Sequence, residues 1–97
     1  MEELMKYNHP IPIQTKCNEK VDITDFIKSG IFAIGYYSPN GKFTGFYYLY
    51  SVQDGKASCT EIAKEWFRLN IEILDKRIYM TQFVKEWDNF TLYVRNI

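Results

Sequence analysis

Two runs along the chain, 31–38 (IFAIGYYS) and 42–52 (KFTGFYYLYSV), are dense in β-branched and aromatic side chains, with Pro39-Asn40-Gly41 between them. Proline presets the first turn dihedral and glycine accepts a positive φ, so the pattern predicts a β-hairpin. A type I turn with a following G1 bulge pairs Ser38 with Lys42, whereas a two-residue Asn40-Gly41 turn slips the register by one. In either register, alternation puts Thr44, Phe46, Tyr48 and Tyr50 on one face and Phe43, Gly45, Tyr47 and Leu49 on the other. Both faces are aromatic. The bulged register adds Tyr36 to the first face. It also gathers Ile31, Ala33 and Gly35 with Gly45 into a thin-walled second face, which a helix is expected to cover.

The pattern changes period after residue 52. Ser58 and Glu61 have the spacing of a capping box, Asp54-Gly55 precedes them as a turn, and Lys76-Arg77 stands where a helix dipole favours positive charge. Ile62, Ala63, Trp66, Leu69 and Ile73 recur at helical spacing, widened by Phe67 and Leu74. The pattern predicts one main helix over about 58–76, with Trp66 as a core anchor. Nearer the N-terminus, Asp22 or Thr24 caps an expected short helix over 21–29, with Phe26 and Ile27 inward and Gly30 ending it. The first twenty residues read as an extended, proline-containing segment, because Pro10 and Pro12 remove backbone donors. At the other end, 90–95 alternates as a strand with Phe90, Leu92 and Val94 inward. A second hairpin, 78–87 turning at Asp88-Asn89, is preferred there over a short helix.

These elements predict a single α+β domain over 1–97: an antiparallel sheet of four or five strands with the 58–76 helix packed on one face. A βαββαβ ferredoxin-like arrangement is the alternative.

Composition adds one anomaly and several exclusions. Seven Phe, eight Tyr and two Trp among 97 residues are more aromatic surface than so small a core holds, so part of it is expected to face outward. Twelve basic residues balance twelve acidic ones, which argues against an unaided, nonspecific grip on nucleic acid or an anionic membrane. Cys17 and Cys59 form no CxxC and the chain has a single histidine, His9, so neither a zinc cage nor a redox dithiol is spelled out. No phosphate-binding glycine loop, nucleophile elbow or HExxH sequence occurs, and no cofactor is expected. The acidic opening Met1-Glu2-Glu3 and the lack of an apolar run of about 20 residues point to a cytoplasmic protein without a membrane span. Abundant Ile, Lys, Asn, Tyr and Phe reflect AT-rich codons, as in a phage or mobile element of an AT-rich bacterium.

Two short resemblances bear on chemistry. Gly30-Ile31-Phe32 followed by Pro39-Asn40-Gly41-Lys42 resembles the opening of a GIY-YIG nuclease over about fifteen residues. Phe32 replaces its first tyrosine and Phe43-Thr44-Gly45 stands in place of YIG, so the catalytic tyrosines it implies are missing. Lys42, Gly45 and Phe46 are similar to the RNP1 strand of the RNA-recognition motif, with Phe43, Thr44 and Leu49 departing from it. That resemblance implies stacking of bases on strand aromatics.

The functional expectation follows by elimination: a small non-enzymatic protein-binding module acting through an aromatic sheet face. Tyrosine and tryptophan give large, rigid contact area at low entropy cost. The expected partner-binding residues are Tyr36, Phe46, Tyr48 and Tyr50, with Lys42 and Arg95. An inhibitor of a host complex, of the anti-CRISPR kind, is one form of such a module, and a homodimer through the same face is another. The alternative is a single-stranded nucleic-acid-binding domain, with those rings as a stacking platform and Lys42 and Arg95 on phosphates.

Overall fold

The 31–52 hairpin forms in the bulged register. The computed structural model describes residues 10–64 and 69–97, and in it β3 (Ile31–Tyr37) pairs antiparallel with β4 (Phe43–Gln53), Tyr37 opposite Phe43 and Gly35 opposite Gly45. The Gly41 amide donates to the Ser38 carbonyl and the Ser38 amide to the Lys42 carbonyl, both at 2.8 Å, with Gly41 at φ +85°. That is a type I turn closed by a G1 bulge. The Asn40 side chain tightens it, its Oδ1 accepting from the Ser38 hydroxyl and from the Lys42 amide.

Around this hairpin a five-stranded antiparallel sheet assembles in the order β1-β8-β3-β4-β5, where β1 is Ile11–Ile13, β5 Lys56–Lys64 and β8 Leu92–Asn96. A second sheet of three strands, β2 (Lys20–Asp22), β7 (Arg77–Gln82) and β6 (Leu69–Leu74), is ordered β2-β7-β6. The chain runs through β3, β4 and β5 as a meander, makes the β6–β7 hairpin in the other sheet, and returns so that β8 inserts between β1 and β3. Apart from the strands the described residues hold two short 3-10 helices, Thr24–Phe26 and Lys85–Asn89, and no α-helix. No helix there is long and apolar enough to cross a membrane.

This architecture overturns the α+β expectation, and the ferredoxin-like alternative with it. Residues 58–76 hold most of β5 and all of β6 instead of a helix. Two turns with positive φ at both central residues bracket them, Asp54-Gly55 (52° and 75°) and Asp75-Lys76 (53° and 67°). Such turns match the twist of antiparallel strands and close the β4–β5 and β6–β7 hairpins. Strand pairing supplies a hydrogen-bonded partner for every other residue, which a local capping box and a helical stripe cannot outweigh. A bulge at Ile62, where the register shifts between Tyr47 and Tyr48, breaks the alternation of β5 and so blurs its strand signature. The expected core anchor Trp66 lies outside the described residues.

Smaller corrections follow the same logic. Of the expected 21–29 helix only the Thr24–Phe26 turn forms, because Val21 and Asp22 are taken into β2 beside β7. The N-cap position is Ile23, not Asp22 or Thr24; Asp22, at the end of β2, holds the start of the turn through its Oδ1, which accepts from the Thr24 amide at 2.9 Å and hydroxyl at 2.6 Å. The expected second hairpin is absent. Strands β7 and β8 belong to different sheets, and the 3-10 helix Lys85–Asn89 carries the chain between them. Leu92 and Val94 point inward as expected, whereas Phe90 precedes the strand and is exposed.

The core lies between the two sheets. Phe32, Ile34, Phe46, Tyr48, Leu92 and Val94 of the large sheet meet Ile78 and Met80 of the small one, with Ile13, Ile23 and Trp87 completing the cluster. Buried polar groups hold the connecting segments. The Gln82 side chain donates to Asp88 (2.9 Å) and accepts from the Val84 amide (2.7 Å), while the Asn96 side chain bridges the Lys28 amide and the Phe26 carbonyl. Paired in this way, they carry no desolvation penalty of an orphaned group.

Candidate interaction face

Pairing fixes which side chains share each face of the five-stranded sheet. Directly opposed residues lie on the same side, so Phe32/Tyr48, Ile34/Phe46 and Ile34/Val94 face the small sheet. Tyr37/Phe43, Gly35/Gly45, Ala33/Tyr47, Ala33/Arg95 and Gly35/Tyr93 face away from it. No helix covers this outer face among the described residues, contrary to the expectation for Gly35 and Gly45. The sheet supplies its own cover. Tyr37 packs edge-on against Phe43 (5.1 Å) and Tyr93 (5.4 Å), and Phe43 against Tyr47 (6.2 Å). The Arg95 guanidinium lies 5.6 Å from the centre of the Phe43 ring, within cation–π range.

The glycine pair explains how such rings fit. A Cβ on Gly35 would meet the Thr44 carbonyl and stand 2.7 Å from Gly45 Cα, and one on Gly45 would meet Ile34 backbone in the same way. Bare backbone at the centre lets the side chains around it spread over Gly35, Gly45 and Ala33, all of which are buried. The rim stays in water: Ile31, Tyr37 and Leu49 are 36%, 37% and 43% exposed on the same side.

The residues expected to bind a partner do not assemble into one site. Phe46 and Tyr48 are core residues, each 4% exposed, stacked on one another at 6.1 Å with Phe32 beyond at 5.4 Å. Burial first, then nearby Glu61 and Cys59, pushes the Tyr48 phenol upward and keeps it neutral. Tyr50 is half-buried and packs against the same core. Tyr36 shares that inner face but stands at its end, between Trp87 (6.5 Å) and Phe90 (5.8 Å), where desolvation raises its pKa. Lys42 is exposed beside the hairpin turn. Arg95 is on the opposite face, among the rings that the expectation left out. Sequence reasoning therefore missed Tyr37, Phe43, Tyr47 and Tyr93 as surface rings. The signal that finds them is the Gly35/Gly45 pairing, available once the bulged register is chosen.

Other chemistry is sparse. Cys17 and Cys59 are both free thiols, and burial pushes the Cys59 thiol up to about 11, which suppresses its thiolate at neutral pH. Among the described residues no group of three or more His, Cys, Asp or Glu is placed to hold a metal ion. His9 lies outside the described residues. Charged pairs cluster instead on the small sheet, where Lys20 meets Glu72 at 3.0 Å and Arg77 meets Asp22 at 2.9 Å. The chain matches no family model, and neither the curated proteins nor the solved structures offer a match.

Proposed function

We propose that the chain is a small, non-enzymatic protein-binding module whose contact surface is the outer face of the five-stranded sheet. The observation that carries this reading is the continuous cluster Tyr93–Tyr37–Phe43–Tyr47, with Tyr37 exposed and the other three rings part-buried, on a sheet whose opposite face already holds the core. Aromatic side chains with polar tips, held rigid by neighbouring rings, are the composition of interface hot spots. Their edge-to-face packing favours this use, because bases stack best on rings with a free, flat face.

A single-stranded nucleic acid is the second reading. It is favoured by Arg95 and Lys56 on the same face, with no Asp or Glu side chain among its described residues.

The test is affinity capture from a cell lysate with wild-type protein and the Tyr37→Ser/Tyr47→Ser double variant, with nuclease added to half of each sample. A protein captured by the wild type, lost with the variant and retained after nuclease supports the module. Recovery abolished by nuclease transfers the face to nucleic acid. Urea denaturation of the variant, showing a retained cooperative transition, separates loss of contact from loss of fold.

A further inference from the structure

At the Pro39 end of the β3–β4 hairpin the outer face borders a pocket of about 350 Å³ lined by Tyr36, Tyr37, Pro39, Phe90, Thr91 and Tyr93. Two tilted ring pairs wall it, Tyr36 with Phe90 (5.8 Å, 60°) and Tyr37 with Tyr93 (5.4 Å, 72°). None of the lining side chains is charged. Tyr37 leads on to Phe43 at 5.1 Å, and the Arg95 guanidinium stands over Phe43, so a fixed positive charge lies one ring beyond the pocket wall. Along the outer face the charged side chains among the described residues are Arg95 and Lys56, and both are cations. The chain as a whole has no formal net charge, so this face is positive against a neutral background.

We propose that the pocket takes an aromatic anchor side chain of an acidic polypeptide segment, with a carboxylate beside the anchor pairing with Arg95. The inference rests on the protein-binding reading and names the partner's chemistry. A ring entering between tilted rings gains edge-to-face contacts on two sides and leaves water as it does so. The Arg95 guanidinium, within cation–π range of Phe43, is in no ion pair among the described residues, and its planar fork of N–H groups binds a carboxylate in bidentate fashion. Among the described residues no Asp or Glu side chain on this face competes for that position.

The test is an NMR titration of the full chain with blocked hexapeptides: one tryptophan among glutamates, the same peptide with alanine for tryptophan, and the same with lysines for the glutamates. A thymidine decanucleotide is titrated in parallel. The tryptophan–glutamate peptide should shift the Tyr36, Tyr37, Phe90 and Tyr93 resonances saturably, with both control peptides about ten-fold weaker or worse. Arg95→Gln should weaken the first peptide about five-fold and erase its advantage over the lysine peptide, whereas Lys56→Gln changes little. Equal binding of the lysine peptide, shifts confined to the small sheet, or no saturable shift at millimolar peptide each overturn the inference. If that happens while the Tyr37→Ser/Tyr47→Ser variant still loses a captured protein, the module stands and only its partner chemistry falls. Saturation of the same resonances by the oligonucleotide alone replaces both readings with the nucleic-acid one.

Discussion

Both faces of the five-stranded sheet are rich in aromatic rings, and they have opposite fates. The inner face presents Phe32, Ile34, Phe46 and Tyr48 and lies against the small sheet; the outer one presents Tyr37, Phe43, Tyr47 and Tyr93, which among the described residues pack on one another and on Arg95. An aromatic strand thus does not announce which side is core. What separates the faces is the second layer, since apolar side chains become core only where another element removes them from water. Tyrosine suits the outer face because its ring packs on the neighbouring ring while its hydroxyl remains available to water or a partner.

The largest expected effect tests the inner face. Phe32→Ala, at a fully buried ring, should cost about 3–5 kcal/mol in urea denaturation. Tyr48→Ala should likewise destabilise the domain, which disqualifies it as a binding variant. If either leaves the denaturation midpoint unmoved, the core assignment is wrong.

Next comes the glycine pair, where the outer face depends on bare backbone. Gly45→Ala should cost about 3 kcal/mol by the same measurement, because the methyl group meets main chain that cannot rotate away. A near-neutral result shows that the strands do not approach as closely as described.

On the outer face itself Tyr37→Ser should cost about 1 kcal/mol or less, since the ring is 37% exposed and leaves no sealed cavity when removed. Its effect belongs to binding. A cost as large as that of Phe32→Ala would make the outer rings a second core and remove the contrast between the faces.

The smallest effect sets the small sheet's charged face beside this aromatic one. Hydrogen bonds from the Thr24 hydroxyl and amide, then from Arg77, hold the Asp22 carboxyl at about 2, below its ordinary 3.8. Because the folded value is the lower one, the stabilisation is present above 3.8 and is lost as pH falls from there through 2. Asp22 is open to solvent, so the effect is modest and screened by salt. Asp22→Asn should flatten the fall in urea midpoint between about pH 4 and about pH 2 at low salt, leaving neutral-pH stability slightly reduced. A wild-type midpoint that does not fall over that interval contradicts the pairing.

Much of the strand structure was legible. Pro39-Asn40-Gly41 carries its own turn chemistry, and the alternation in 43–50 and in 92–94 was read correctly from residue order. The 58–76 segment was not, because its signals conflict. Ser58 and Glu61 mimic a cap, and the bulge at Ile62 interrupts the alternation, although Leu69-Asn70-Ile71-Glu72-Ile73 alternates cleanly. The candidate site suffered a different failure. Residue order marks its rings as one of two aromatic faces, but the expected helix that points to the other face does not form.

Sequence alone therefore determined the local features: the bulged turn as one of two registers, two aromatic faces on β4, an excess of rings over core volume, and a neutral overall charge. Turn dihedrals and strand alternation are properties of neighbouring residues, so neighbouring residues suffice to predict them. The rest needed contacts between distant segments. Only the tertiary structure decided that 56–64 and 69–74 are strands, that β8 inserts between β1 and β3, and that Phe46 and Tyr48 are buried while Tyr37 and Tyr93 border a pocket. Strand pairing and sheet stacking draw their free energy from partners far away in the chain, and no local pattern encodes which partner arrives.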